Sequence, residues 1–235
     1  VVVAVIDSGL DYNHEDFPQA HIWRNRAEIP GNGKDDDQNG YVDDVWGWNF
    51  LDKNNRPYDD NGHGTMVAGV IAAGLNNGTG IAGVVPEVRI MPLKVMDFQG
   101  GLHSFQMVEA IHYAVRMGAK VINLSTSGQT GTKREQDAVE YARKNGVVVV
   151  VAAGNAGEDT AEYYPSSLDG VICVAATSWD DMQPTFSNFG ENVDLAAPGV
   201  EILSLRARGT DTNLSTATGQ GYKKGMAIVG KDKKY

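Results

Sequence analysis

A single cysteine, Cys173, stands in a chain of 235 residues; it excludes an internal disulfide and any cysteine-rich zinc site. Long apolar runs are absent too. No stretch reaches the roughly eighteen apolar residues that a membrane-crossing helix needs, so no membrane span is expected. Positive charge is scarce: 20 Lys and Arg face 30 Asp and Glu, a formal net charge of −10. That balance lacks the basic footprint of a nucleic-acid binder. The 28 glycines follow no period, which excludes collagen, and no internal repeat or low-complexity tract is present. Neither an initiator methionine nor a signal-peptide pattern precedes Val1-Val2-Val3, and no closing element marks Lys233-Lys234-Tyr235. The chain is expected to be a piece of a longer protein.

What is present is an alternation of two periods. The apolar run from Val1 to Ile6 does not alternate and reads as a strand buried on both faces. Residues 11–62 form a polar excursion rich in Asp, Asn and Gly, anchored by Trp46, Trp48 and Phe50. Helices are expected over Thr65–Ala73, Ser104–Met117 and Lys133–Asn145, and strands over Arg89–Met96, Val121–Leu124, Val147–Ala152, Val171–Ala175 and Asp194–Ala196. Strands separated by helices of this length are the pattern of βαβ units. The expected fold is therefore α/β in one domain, a parallel sheet flanked by helices. From Arg206 onward the periodicity fades.

Open parallel sheets place function at the carboxyl ends of their strands. There the sequence has Asp7-Ser8-Gly9, Asp97 to Leu102, Ser125 to Gly128 and Gly154-Asn155. Asp7 ends an apolar strand, where a carboxylate without a partner is costly. His63 lies between Gly62 and Gly64, which permit close backbone packing around a free imidazole edge. Asn155 can offer its side-chain amide to an anion. Each has a bland reading as a turn or core residue, but three such groups at strand ends suggest one cleft.

Two other motifs carry chemistry of their own. Gly78-Thr79-Gly80-Ile81-Ala82-Gly83 fits the dinucleotide pattern G-x-G-x-x-G, but a helix precedes it and Val84-Val85-Pro86 follows, the reverse of the required context. The run from Asp35 to Asp44 sets oxygen ligands Asp35, Asp37, Asn39 and Asp43 at positions one, three, five and nine of a calcium-type loop. Gly40 stands at position six and Tyr41 at the carbonyl position. Trp46 occupies the place of the closing Glu. Clustered carboxylates repel unless neutralised, so a calcium ion is expected there.

These residues resemble the subtilisin-like serine proteases. Val5-Ile6-Asp7-Ser8-Gly9 looks like the family's catalytic-Asp motif, and Asn61-Gly62-His63-Gly64-Thr65 to Gly69 like its catalytic-His motif. Val121-Ile122-Asn123-Leu124-Ser125 is similar to one wall of the S1 pocket, and Ala152-Ala153-Gly154-Asn155 to the other, with the oxyanion Asn. Ala196-Ala197-Pro198-Gly199 resembles the marker that precedes the nucleophile. The resemblance implies a three-layer α/β fold, with residues 1–235 as one partial peptidase domain. It implies peptide-bond hydrolysis, with Asp7 and His63 as catalytic partners and Asn155 as oxyanion donor. Gly100, Gly101 and Leu102 would pair with an extended polypeptide substrate, and Ser125, Thr126, Ser127 and Gly154 would line the S1 pocket. A second calcium loop is implied at Leu75, Asn77, Thr79 and Ile81, with Asp16 as its distant carboxylate. A propeptide partner and a secreted, extracytoplasmic location are implied as well.

Two departures stand out. The family's Ser-x-Gly-Gly reads Ser125-Thr126-Ser127-Gly128 here, so a side chain intrudes at the pocket rim. The larger departure is that none of the ten serines stands in a Gly-Thr-Ser setting. Either the nucleophile lies beyond this sequence, or Lys224-Gly225-Met226-Ala227 is its degenerate remnant and the chain is a peptide-binding pseudoprotease. The first is the expectation, and the 235 residues alone are then inactive. Asn77, Asn123 and Asn213 open glycosylation sequons, the first two within a metal loop and a strand.

Overall fold

A computed structural model describes residues 1–85 and 87–210; the Lys224–Ala227 alternative and the Asn213 sequon lie outside them. Seven parallel strands form one sheet. In chain order they are β1 (Val2–Asp7), β2 (Trp48–Asn49), β3 (Arg89–Lys94), β4 (Val121–Leu124), β5 (Val148–Ala152), β6 (Ile172–Thr177) and β7 (Leu195–Pro198). Their spatial order is β2-β3-β1-β4-β5-β6-β7. Among the described residues three α-helices, α1 (His63–Ala72), α2 (Ser104–Arg116) and α3 (Lys133–Lys144), pack on it. The expected α/β fold with a parallel sheet flanked by helices is the observed one.

Because successive strand residues point to opposite faces, β1 feeds two cores. Ala4 and Ile6 join Met91, Leu93, Ile122 and Val149 beneath α2 and α3, where Met107, Ile111, Ala138 and Val139 are buried. Val3 and Val5 join Ile90 and Phe17 beneath Ala68 and Ala72 of α1 on the other face. Burial on both sides explains why these strands read as unbroken apolar runs. The helices stay in place through their ends. At the start of α3, Thr132 accepts the Glu135 amide while the Glu135 carboxylate accepts the Thr132 amide, a capping box. Glu135 also accepts the Ser104 hydroxyl at the start of α2, tying the two helices together.

The polar excursion hides β2, whose two residues continue the sheet beside β3. Around it, Tyr41 stands edge-on to Trp48, Phe50 and Tyr113, with ring centroids 5.1, 5.8 and 4.9 Å apart. The excursion is thus held to the domain by an aromatic cluster. No helix among the described residues is long and apolar enough to cross a membrane.

The chain leaves β1 toward β3 on one side and toward β4 on the other. That reversal makes a crevice at the carboxyl ends of the central strands. The turns after β3, β1, β4 and β5 therefore lie side by side.

Candidate active site

Asp7 closes β1 with its side chain fully buried, and His63 opens α1 with its side chain 26% exposed. His63 Nδ1 lies 2.8 Å from Asp7 Oδ1 and 2.9 Å from Oδ2. Both partners are carboxylate oxygens, so Nδ1 carries the proton and Nε2 is left as the basic nitrogen. The Asp7 charge is the largest influence on His63 and raises its pKa; burial opposes it, and Asp59 adds to the rise. The neighbouring Ser8 amide donates to Asp7 Oδ1 at 2.7 Å.

What brings β1 and α1 so close is glycine. A Cβ on Gly64 would lie 2.2 Å from the Gly9 carbonyl oxygen, so only a residue without a side chain lets the helix start against the Asp7 turn. Asp59 then locks the junction. It is fully buried; Oδ1 accepts the Ser8 hydroxyl and the Asn61 and Gly62 amides, and Oδ2 accepts the Thr65 amide and hydroxyl. The Ser8 hydroxyl in turn accepts the Gly64 amide at 2.9 Å.

Lys94 is a third tie. It is in register with Asp7 on the adjacent strand and only 3% exposed. Its Nζ donates to the Ser8 carbonyl at 2.7 Å, the Met96 carbonyl at 3.0 Å and Asp60 Oδ1 at 2.6 Å. One buried cation thereby joins the Asp7 turn, the His63 turn and the segment leading to residues 97–102. Lys94→Met leaves two buried carbonyls and Asp60 without their donor and is expected to destabilise the domain by about 2–3 kcal/mol. The denaturant midpoint measures it; a change under about 0.5 kcal/mol would contradict the role.

Gly100, Gly101 and Leu102 sit in a tight turn after β3. Asp97 Oδ1 accepts the Gln99 and Gly101 amides at 2.9 Å each, and Leu102 bridges back to Met96. These amide bonds, Gly101's foremost, hold the Asp97 carboxyl below its usual range. Asn61 Nδ2 donates to the Phe98 carbonyl at 3.1 Å, so the His63 turn and this segment are in contact.

The other two turns carry Ser125 to Ser127 and Gly154-Asn155. Gly154 has φ +111°, and a Cβ there would lie 2.6 Å from Ser127 Oγ and 2.4 Å from Asn188 Nδ2. Ser127 thus stands against the opposite turn. Asn155 is exposed. Beneath it, fully buried Asn188 donates from Nδ2 to the Ala153 carbonyl at 3.0 Å and accepts the Ala156 and Glu158 amides at 2.9 and 3.1 Å. Asn188, Asp59 and Lys94 are the residues that sequence reasoning missed. A lysine inside the apolar Arg89–Met96 run was a visible signal; for Asn188, partnered 30 to 35 positions away, no local pattern exists.

At the first of the two expected calcium loops, Asp16 meets the turn that follows α1. Asp16 is fully buried; its Oδ1 accepts Asn77 Nδ2 at 2.7 Å and its Oδ2 accepts the Ile81 amide at 2.8 Å. Residues 74–82 curl around a hollow of about 320 Å³. The Asp16 carboxylate, the Asn77 amide oxygen and the carbonyls of Leu75, Thr79 and Ile81 are oxygen donors, the kind a hard cation takes.

The acidic excursion does not assemble as its spacing suggests. Asp43 accepts the Gly31, Asn32 and Gly33 amides, and Asp35 accepts the Asn39 and Gly40 amides. Each carboxylate caps nearby backbone donors, while the Tyr41 ring packs inward and Asn39 Nδ2 donates to Asp37 and Asp44. The acids that do converge are Glu28, Asp37 and Asp44, with oxygens within 4.8 Å of one another. Burial raises the pKa of Glu28 and of Asp44. Only Asp37 belongs to both sets.

Compared with known sequences, residues 1–227 match the profile Peptidase_S8, described as the subtilase family. The chain is 40% identical to thermitase of Thermoactinomyces vulgaris over 213 residues, covering 91% of this chain and 68% of thermitase. It is 41% identical over 202 residues to a thermophilic serine proteinase of Bacillus sp. strain AK1, covering 86% of this chain and 44% of that relative. A solved structure, that of a cold adapted subtilisin-like serine proteinase, is similar with a TM-score of 0.71 at 28% identity, covering 89% of this chain and 66% of the other. The chain thus spans between 44% and 68% of the length of these proteins.

Proposed function

Because the chain belongs to the subtilase family, we propose that it is the part of a serine endopeptidase domain that carries the general base, its orienting carboxylate and the oxyanion donor. The observation that carries this reading is the buried Asp7 carboxylate within 2.8 Å of His63 Nδ1, which leaves Nε2 free to take a proton. In the proposed reaction Nε2 removes the proton of a serine hydroxyl as that oxygen attacks the scissile carbonyl. The proton then passes to the departing amine. Asp7 holds the tautomer and stabilises the imidazolium. The Asn155 amide donates to the oxyanion of the tetrahedral intermediate.

Substrate is proposed to lie extended, its backbone beside Gly100, Gly101 and Leu102 on one side and Ser125, Thr126 and Ser127 on the other. Strand addition of this kind takes affinity from main-chain hydrogen bonds and specificity from side-chain pockets. With Ser127 against Gly154, the pocket between these turns is narrower than two glycines would leave it. No serine of the chain stands in a Gly-Thr-Ser setting, so the nucleophile is assigned to sequence outside residues 1–235, and these residues alone are expected to be inactive. The pseudoprotease alternative keeps the cleft and loses the reaction. Replacing Asn155 by Leu in the full-length gene product tests the active reading: kcat should fall about 10²- to 10³-fold with KM little changed. An unchanged kcat would remove Asn155 from the oxyanion site.

Calcium is proposed at the Asp16 loop, where it would neutralise a buried carboxylate and tie three carbonyls together. A second locus is proposed on Glu28, Asp37 and Asp44, whose clustered charges a cation would offset. Secretion to a calcium-rich compartment and a propeptide partner fit the same reading. Ions bound only by the folded state add stability by mass action, about 2.7 kcal/mol at a hundredfold excess over Kd. Chelation with EDTA is therefore expected to lower the melting temperature by several degrees. Asp16→Asn and Asp37→Asn should each remove part of that shift; no shift in the parent chain would overturn both sites.

A further inference from the structure

At the amino ends of the strands, away from His63, a groove of about 550 Å³ is lined by Arg24, Arg26, Arg89, Trp46, Ile22 and Glu28 among others. Arg89 begins β3 and Lys94 ends it, so about 17 Å of strand separates this groove from the Asp7 turn. The proposed reaction uses none of these residues.

All three arginines are exposed, and among the described residues none of them forms an ion pair. The one acid lining the groove does not serve them. Glu28 is buried; its Oε1 accepts the Asp36 and Asp37 amides and its Oε2 the Asp43 amide. Arg24 lies over the Trp46 ring, 5.5 Å from its centroid. A cation–π contact of this kind engages the ring without using the guanidinium N–H donors, which remain for oxygen acceptors. Three guanidinium forks without an ion-pair partner among the described residues line one concavity. In a chain with a net charge of −10, such convergence of positive charge marks a specific place on the surface.

We propose that this groove is an exosite for an acidic polypeptide segment, whose Asp and Glu carboxylates pair with Arg24, Arg26 and Arg89 while aliphatic stems lie against Trp46 and Ile22. A polynucleotide fits less well: its closely spaced phosphates gain affinity from many cationic contacts, and here three stand against an acidic molecule. A short run of carboxylates matches the three forks. The exosite binds without cleaving, so its test does not depend on the proteolytic reading.

The experiment is fluorescence polarisation of a labelled oligoglutamate peptide with the full-length gene product. Oligoglutamine and a single-stranded oligonucleotide serve as comparison ligands. Oligoglutamate is expected to bind and to weaken as salt rises. The combined variant Arg24→Gln, Arg26→Gln, Arg89→Gln should bind about tenfold or more weakly with an unchanged melting temperature, since all three side chains are on the surface. Equal binding by that variant, equal binding of oligoglutamine, or tighter binding of the oligonucleotide would overturn the proposal.

Discussion

His63→Ala in the full-length gene product is expected to lower kcat/KM by about 10⁴- to 10⁶-fold. The size follows from what Nε2 does in the proposed reaction. Without it, the serine hydroxyl has no base to remove its proton at neutral pH, and the leaving amine has no acid to protonate it. Both halves of acyl transfer lose the same group, so loss of the base alone comes close to loss of the whole triad. The side chain is 26% exposed and its removal leaves no large apolar cavity, so the variant should remain folded. Peptide hydrolysis measured beside a thermal melt separates the two effects. Activity within tenfold of the parent would remove His63 from the mechanism.

Asp7→Asn is expected to cost about 10⁴-fold in kcat and to move the pH profile in a definite direction. The Asp7 charge is the first cause raising the His63 pKa above 6.5, and burial works against it. Catalysis needs neutral imidazole, so in the parent the acid limb of kcat/KM should lie above pH 6.5. Removing the charge leaves burial dominant and favours the neutral ring; the acid limb should then move to lower pH although the rate is far smaller. The amide can also hold the wrong tautomer, and that accounts for most of the lost rate. A limb that stays in place, or moves up, would mean that Asp7 does not set the titration of His63.

How much of this was legible in the sequence depends on how local each feature is. The central strands were readable because β1 and β3 are buried on both faces, and an unbroken apolar run has few other uses. The helices showed through their period and their terminal glycines. By contrast β2 is two residues inside a polar stretch; Tyr41 packs on its Trp48 and in turn on Tyr113 of α2, a contact 72 positions away that no window of sequence contains. Asp7 could be recognised as a candidate because a carboxylate at the end of a buried strand is costly unless partnered, and His63 because glycines flank it in a turn. Their supports could not: Asp59, Lys94 and Asn188 act through partners brought together only by the sheet.

The acidic excursion shows where spacing misleads. Alternate carboxylates look like one ion's ligands when drawn on a line. In the fold, Asp43 is drawn off by the Gly31, Asn32 and Gly33 amides, and Glu28, outside the pattern, takes its place beside Asp37 and Asp44. Backbone amides that lack another partner take carboxylate acceptors for themselves. For the Asp16 loop the resemblance supplied a distant residue that spacing could not, and Asp16 does contact residues 77 and 81.

The most direct test of the account is the intact mass of the natural gene product before and after treatment with a fluorophosphonate probe. The account predicts a species heavier than 25.2 kDa that gains one adduct, mapped to a serine outside residues 1–235 and lost in His63→Ala. A heavier species that gains no adduct would contradict it and establish the pseudoprotease. An adduct on a serine within the 235 residues would contradict the assignment of the nucleophile.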